Sequence, residues 1–212
     1  MADSPARFSN RARTTWLALF AACCMTLGTA PIATASPDTV LPVLSVEQMR
    51  DITGIPELTT VADHGDSATP AADPDTPEPC RAVYDDPIVF GTDWTQFRSV
   101  FYHAYTAHPI IVGIASVTQT VAVYPDAGTA QKAFDRIVAA APACSTLQSD
   151  SGYYHRDLQH PDPNTLILNG DMVTDGFRVV GNTVLGVSTL VPSELPLIDA
   201  QNLLNRLQAA GR

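Results

Sequence analysis

Residues 116–144 read SVTQTVAVYPDAGTAQKAFDRIVAAAPAC, and a change of period inside this stretch decides the fold. Up to Tyr124 the period is two. Val117, Gln119, Val121 and Val123 share one side of an extended chain, and Thr118, Thr120 and Ala122 share the other. β-Branched residues dominate, so the segment reads as a strand. After Pro125 the period becomes helical. Ala127, Ala130, Phe134, Ile137, Val138 and Ala141 recur at the spacing that lines one helical face, and Asp126 can cap the first turn. This helix delivers Cys144. Across the chain, strands and helices do not alternate one for one, which predicts an α+β fold with helices against an antiparallel β-sheet rather than a parallel doubly wound one.

Working outward, residues 94–105 (WTQFRSVFYHAY) are rich in aromatic and β-branched side chains and read as a second strand. Alternation would put Phe97, Phe101 and Tyr105 on one face, with Trp94 and Tyr102 on the other. Downstream, residues 177–180 and 183–190 flank Gly181-Asn182, a dipeptide suited to a tight hairpin because both residues tolerate positive φ. A last helix is expected from about Pro196 to Ala209, with Leu197, Ala200, Leu203, Leu204 and Leu207 as its apolar stripe. Upstream, Ser45 and Gln48 have capping-box spacing and Leu44 can staple onto Met49, so a short helix should run from Val46 to Thr53 and stop at Gly54 and Pro56. Residues 62–79 hold five acidic residues and four Pro but no Leu, Ile, Val or aromatic residue, and read as a mobile loop. There is no internal repeat.

The chain has 212 residues, room for one domain with a proper hydrophobic core. Its N-terminus has Arg7, Arg11 and Arg13 before an apolar run from Trp16 to Leu27, then Ala33-Thr34-Ala35 before Ser36. That is the pattern of a secretory signal peptide over residues 1–35. Two other readings stand beside it: FAAC at 20–23 loosely resembles a lipobox that would lipidate Cys23, and the apolar run could stay as an anchor, although Gly28 and Pro31 interrupt it. After cleavage, residues 36–79 would form the N-terminal helix and acidic Pro-rich loop, and residues 80–212 the core. The net charge is −10, and cleavage removes three Arg against one Asp, making the mature chain more acidic still. Such a surface repels phosphate backbones and anionic headgroups, which excludes nucleic acid and leaves the membrane only the N-terminal anchor. Of four cysteines, Cys80 and Cys144 remain, and an even count outside the cytoplasm reads as one disulfide.

Several motifs invite chemistry. HRDL at 155–158 matches the start of the catalytic loop of protein kinases, but the metal-binding Asn should lie five residues past Asp157, where Asp162 stands, and Asn164 comes too late. There is no Gly-rich phosphate loop or V-A-I-K strand, and Asp175-Gly176-Phe177 has the D-F-G residues in the wrong order. The stretch reads instead as a strand end and a loop bounded by Pro161 and Pro163. His155, Asp157, His160 and Asp162 are metal-ligand types, yet without a Cys or an H-E-x-x-H helix they read as a solvated loop. Ser188 lies in GVSTL, an ordinary strand with no nucleophile elbow, and His103 lies among aromatics as a packed residue. Nothing calls for a cofactor. The aromatic run is the best candidate for binding small molecules: Trp94, Phe97, Phe101 and Tyr105 are the expected lining, with His155 and Asp157 as rim residues.

In order along the chain, LSVEQM at 44–49, Cys80, FGTDWTQFR at 90–98, VTQTVAVYPDAGTAQKAF at 117–134, Cys144, VGNTVLGV at 180–187 and the last helix resemble the PknH-like extracellular sensor domain family, over roughly Leu41 to Leu207. Members sit on a mycobacterial receptor kinase and in exported mycobacterial lipoproteins. The resemblance implies an α+β domain with helices on a twisted antiparallel sheet and a cleft for an unidentified extracellular ligand, with no catalytic activity. The family's second disulfide would fall at Val173 and Leu190, both apolar here, so a packed pair is expected in its place. The expected function is an exported, non-enzymatic sensor or ligand-binding domain of the cell envelope, taking a small-molecule, lipid or glycan ligand. The alternatives are a module that docks on another envelope protein through an apolar patch, or a metal-dependent hydrolase.

Overall fold

The computed structural model describes residues 41–61, 65–107, 112–147, 154–192 and 195–212. The signal-peptide, anchor and lipidation readings, Cys23 included, lie outside these residues. Eight strands form one antiparallel sheet: β1 (Thr59–Thr60), β2 (Asp66–Ser67), β3 (Gln96–Ala107), β4 (Val112–Val123), β5 (Asp157–Asp162), β6 (Thr165–Asn169), β7 (Val173–Val180) and β8 (Thr183–Leu190). Their order is β1-β3-β4-β8-β7-β6-β5, with β2 also on β3. The helices are α1 (Val46–Thr53), α2 (Arg81–Tyr84), α3 (Asp86–Phe90), α4 (Ala127–Ser145) and α5 (Ala200–Ala210). This is the expected α+β architecture.

Both faces of the sheet are buried over much of their area, so the central strands need apolar residues at consecutive positions. On the first face, Val100 and Tyr102 of β3, Val117 and Val121 of β4, and Leu185 and Val187 of β8 pack with Met49 of α1 and Leu203, Leu204 and Leu207 of α5. α5 lies close because Gly176 has no side chain: a Cβ there would come within 3.0 Å of Leu204 Cδ1 and 3.1 Å of Ile167 Cδ1. On the second face, Phe97, Ala122, Val179 and Val184 pack with Phe134 and Ile137 of α4 and with Val83, Val89 and Phe90 of α2 and α3. The Cys80–Cys144 disulfide joins the 3-10 turn Glu78–Cys80 to the last turns of α4.

Gln119 points into the first-face core with no exposure. Its amide acts as a strand partner for a chain segment that is not a strand: Oε1 accepts from the Leu44 N–H at 2.9 Å, and Nε2 donates to the Leu44 carbonyl and to the Tyr102 hydroxyl, both at 2.7 Å. The segment entering α1 is thereby pinned to the sheet. α1 begins with the predicted capping box, Ser45 with Gln48, and ends at Gly54, whose φ of 71° is left-handed.

Four expectations need correction. The last helix starts at Ala200 rather than Pro196, because Asp199 caps it by accepting from the N–H groups of Gln201 and Asn202; Leu197 lies outside the helix and is 47% exposed. Trp94 does not share a face with Tyr102, since β3 begins at Gln96 and alternation does not reach back to it; its ring lies 5.6 Å from that of Phe97, on the second face. The stretch after HRDL is the edge strand β5 followed by β6, not a loop. Pro161 is tolerated because an edge strand has an unpaired side, and the register shifts between Gln159 and Asp162. The described part of the acidic Pro-rich segment is tied down: Ser67 pairs with Ser99, Asp66 pairs with Val100 in register and holds the Arg98 guanidinium at 2.7 Å, and Thr76 is buried. Val173 and Leu190 face each other across β7 and β8 as registered partners, Val173 buried and Leu190 half-buried.

Candidate functional site

Strand register writes the site as rows across the second face, because cross-strand partners share a face. One row is Phe101, Thr118, Ser188 and Asp175, on β3, β4, β8 and β7. The row before it is Ser99, Thr120, Gly186 and Phe177, and the row after it is His103, Ser116, Leu190 and Val173. Tyr105 and Ile114 extend the series on β3 and β4. Tyr105 is 64% exposed and Ile114 is 49% exposed. Among the described residues, then, helices cover the half of this face that carries Phe97, and the half that carries Tyr105 is open.

At the boundary between the two halves lies a cavity of about 210 Å³, floored by Thr118, Thr120, Gly186 and Ser188 and walled by Tyr84, Asp86 and Phe90 of α2 and α3 and by Ala71. Asp175 closes its floor. It is 1% exposed, and its carboxylate accepts from Ser188 Oγ at 2.6 Å and Tyr84 Oη at 3.0 Å, with Arg156 Nε at 3.8 Å. Burial pushes the Asp175 carboxyl up, opposed by the Ser188 hydrogen bond, the Arg156 charge and the Tyr84 hydrogen bond. Burial also pushes Asp86 up, to about 6, opposed by a hydrogen bond from the Ala71 backbone and aided by the nearby Asp85 charge. Asp85 itself is held low by its hydrogen bond from Arg81. Larger hollows lie elsewhere: one of about 350 Å³ is walled by Leu41, Val121, Leu185 and Leu207, one of about 500 Å³ surrounds Arg98 and Asp66, and one of about 250 Å³ lies between α1 and α5 at Gln48 and Arg206.

The structure brings together only part of the expected lining. Phe97, Phe101 and Tyr105 do share a face, but Phe97 is core, in edge contact with Phe90 at 5.4 Å, and has no free surface to offer. Trp94 is half-buried beside it and donates from Nε1 to the Gly91 carbonyl at 2.9 Å. Phe101 stacks on His103 at 6.1 Å, and His103 meets Tyr105 edge-on at 5.5 Å, so these three rings form a ladder along β3. His155, Asp157 and His160 are exposed at or beside β5, the opposite edge of the sheet, with four strands between them and β3. The residue of HRDL that turns inward is Arg156. Gly170 makes room for it, since a Cβ there would lie 2.7 Å from Arg156 Nη1. Among the described residues no group of three or more His, Cys, Asp or Glu side chains could hold a metal ion.

Sequence reasoning missed Tyr84, Asp86, Arg156, Asp175 and Ser188 as a group. Their signal was faint but present. Asp175 occupies an inward position of a strand whose neighbours are buried, and a carboxylate there demands partners.

These features define an α+β domain whose helices clasp both faces of an antiparallel sheet and, among the described residues, leave part of one face open. A family model for the PknH-like extracellular domain matches residues 33–183, and the chain belongs to that family. The match includes the β3–β4 hairpin and α4 and stops at the start of β8, short of the Leu207 to which the resemblance extends. Among solved structures, the crystal structure of the extracellular domain of PknH from Mycobacterium tuberculosis is similar at a TM-score of 0.56 and 14% identity, covering 79% of this chain and 89% of that one. No curated protein matches.

Proposed function

We propose that this is an exported, non-enzymatic sensor or ligand-binding domain of the cell envelope, and that its ligand lies on the open half of the second sheet face. The observation that carries this reading is the row Phe101, Thr118, Ser188 and Asp175, which runs from a half-buried ring of the aromatic ladder directly into a partly enclosed polar cavity. Concave surfaces that combine apolar area with a few fixed polar groups are where small ligands bind. Phe101 and Tyr105 are the lining residues this reading keeps; Phe97 and Trp94 pack into the covered part of the same face. The Ser188 hydroxyl donates to a carboxylate rather than an imidazole, an arrangement that fixes a side chain and does not make it a nucleophile. Family membership supports placement outside the membrane.

Thermal-shift screening of wall-derived lipids, glycans and small metabolites tests the proposal. A stabilising compound whose effect is lost on Phe101→Ser and Tyr105→Ser substitution is expected. A flat response across the screen, or hits indifferent to both substitutions, sinks it. The exposed Tyr105 and Ile114 also suit a second reading, docking on another envelope protein. Crosslinking in intact cells should then recover one dominant partner through this patch.

A further inference from the structure

From Ser99 to Pro125 the chain has no Asp, Glu, Lys or Arg, in a protein where such residues are 16% of the whole. This charge-free run takes in β3 from Ser99 onward and all of β4, the two strands that carry the open half of the face. Its accessible surface is hydrocarbon and aromatic: exposed Tyr105 and Ile114 beside half-buried Phe101, continued on β8 by half-buried Leu190. At one end the surface changes character within a single row, to Thr118 and Ser188 and, beyond them, the carboxylate of Asp86 at the cavity wall. From Tyr105 back to Phe101 the strand runs about 13 Å, long enough to lay out an extended octyl chain. A purely polar ligand would leave the apolar end wet, and a purely apolar one would strip water from hydroxyls and a carboxylate without replacing it.

We propose, on the reading of this face as the ligand site, that it takes a neutral amphiphile: a hydrocarbon chain carrying a hydroxylated head group. The chain lies over Tyr105, Ile114 and Leu190. The head group donates hydrogen bonds to Asp86 and to Ser188 Oγ, whose own proton is held by Asp175, and exchanges them with Thr118. An anionic head group is refused, because Asp86 faces it and the chain as a whole carries a net charge of −10. The complementarity is between an acceptor-rich cavity and a head group rich in hydroxyl donors.

The probe is octyl β-glucoside, titrated below its micelle concentration into the full chain at pH 7.5 and followed by residue-resolved amide NMR, which separates this face from the N-terminal apolar run. Saturable shifts are expected at residues 101–105, 114–118 and 186–190. Each methylene placed on an apolar surface tightens binding by up to about fourfold, so hexyl β-glucoside should bind about tenfold more weakly, and glucose should give no shift. The double substitution Tyr105→Ser and Ile114→Ser, at exposed positions, should weaken octyl β-glucoside by about tenfold with the melting temperature unchanged. Octyl sulfate bound as tightly as octyl glucoside, affinity independent of chain length, or unaltered binding in the double variant each overturns the inference. So does binding only to intact vesicles, or dimerisation through the same face. If a polar ligand without a chain shifts these residues and the alkyl series does not, the amphiphile is wrong and the site stands; if every ligand found shifts another surface, both fall.

Discussion

Replacing Gln119 with Leu should cost about 2–4 kcal/mol, and the structure says why. The side chains are similar in size and the surroundings, Val117, Val121 and Tyr102, are apolar or aromatic, so little strain or cavity is created. What is lost is the amide. Gln119 serves three groups: the Leu44 N–H, the Leu44 carbonyl and the Tyr102 hydroxyl. The carbonyl keeps a hydrogen bond from Tyr102, but the N–H is left buried and unmade, which costs about 1–3 kcal/mol. The other two bonds add roughly 0.5–1.5 kcal/mol each, and the apolar gain of Leu offsets part of the sum. Against a domain stability of about 5–15 kcal/mol, the loss is large. Urea unfolding should show the midpoint falling with an unchanged m-value, and hydrogen exchange should quicken at Leu44 and in α1 more than in β7 or β8. A cycle with Tyr102→Phe should give a coupling of at least about 0.5 kcal/mol. A Gln119→Leu protein as stable as the original, with α1 equally protected, would refute the assignment of this amide as the tie between the N-terminal segment and the sheet.

Asp86 should make the protein less stable as pH rises. Its folded pKa, about 6, lies above the ordinary carboxylate value of 3.8, so the folded state holds the proton longer and stability falls between about pH 4 and 6. Asp86→Asn should therefore stabilise by up to about 2–3 kcal/mol above pH 6.5 and by nothing below pH 3.5; equal effects at both would show that the carboxyl is not displaced. Removing the disulfide as Cys80→Ala with Cys144→Ala should cost about 4 kcal/mol, from the loop entropy of a separation of 64 residues, read by denaturant unfolding; a loss under about 1 kcal/mol would mean that the unfolded chain gains little freedom. Val173 and Leu190 form a non-hydrogen-bonded pair, because the Val191 N–H donates to the Met172 carbonyl one position along. Such pairs bring Cα atoms to about 4.5–5 Å, within disulfide reach, so Val173→Cys with Leu190→Cys should oxidise spontaneously and lose two hydrogens by intact mass; a pair of persistently free thiols would contradict the register.

What could be read from the sequence was local. The change of period at Pro125, the capping box at Ser45, the Gly54 stop and the Gly181-Asn182 hairpin each sit within a few residues, and each came out as expected. The start of α5 was misplaced because Pro196 is acceptable in a first turn, while the cap at Asp199 is the stronger signal. β5 was hidden by two prolines and a run of exposed polar residues, which an edge strand tolerates and a central strand does not. The site was the least legible part. Tyr84 and Asp175 are 91 residues apart and Ser188 and Asp175 are 13 apart, and only the folded register brings them to one carboxylate. The aromatic ladder was visible as a composition, but which of its rings would be covered depends on where α3 and α4 end over the sheet.

The central claim is that the open half of the second face is the ligand site. Amide NMR of the full chain, recorded against each hit from a screen of envelope lipids, glycans and metabolites, tests it most directly. The account predicts that shifts concentrate at Phe101, Tyr105, Ile114, Thr118, Gly186 and Ser188, with α5 and β5 undisturbed. Shifts concentrated instead around Leu41, Leu185 and Leu207, or at the exposed β5 edge, would contradict it.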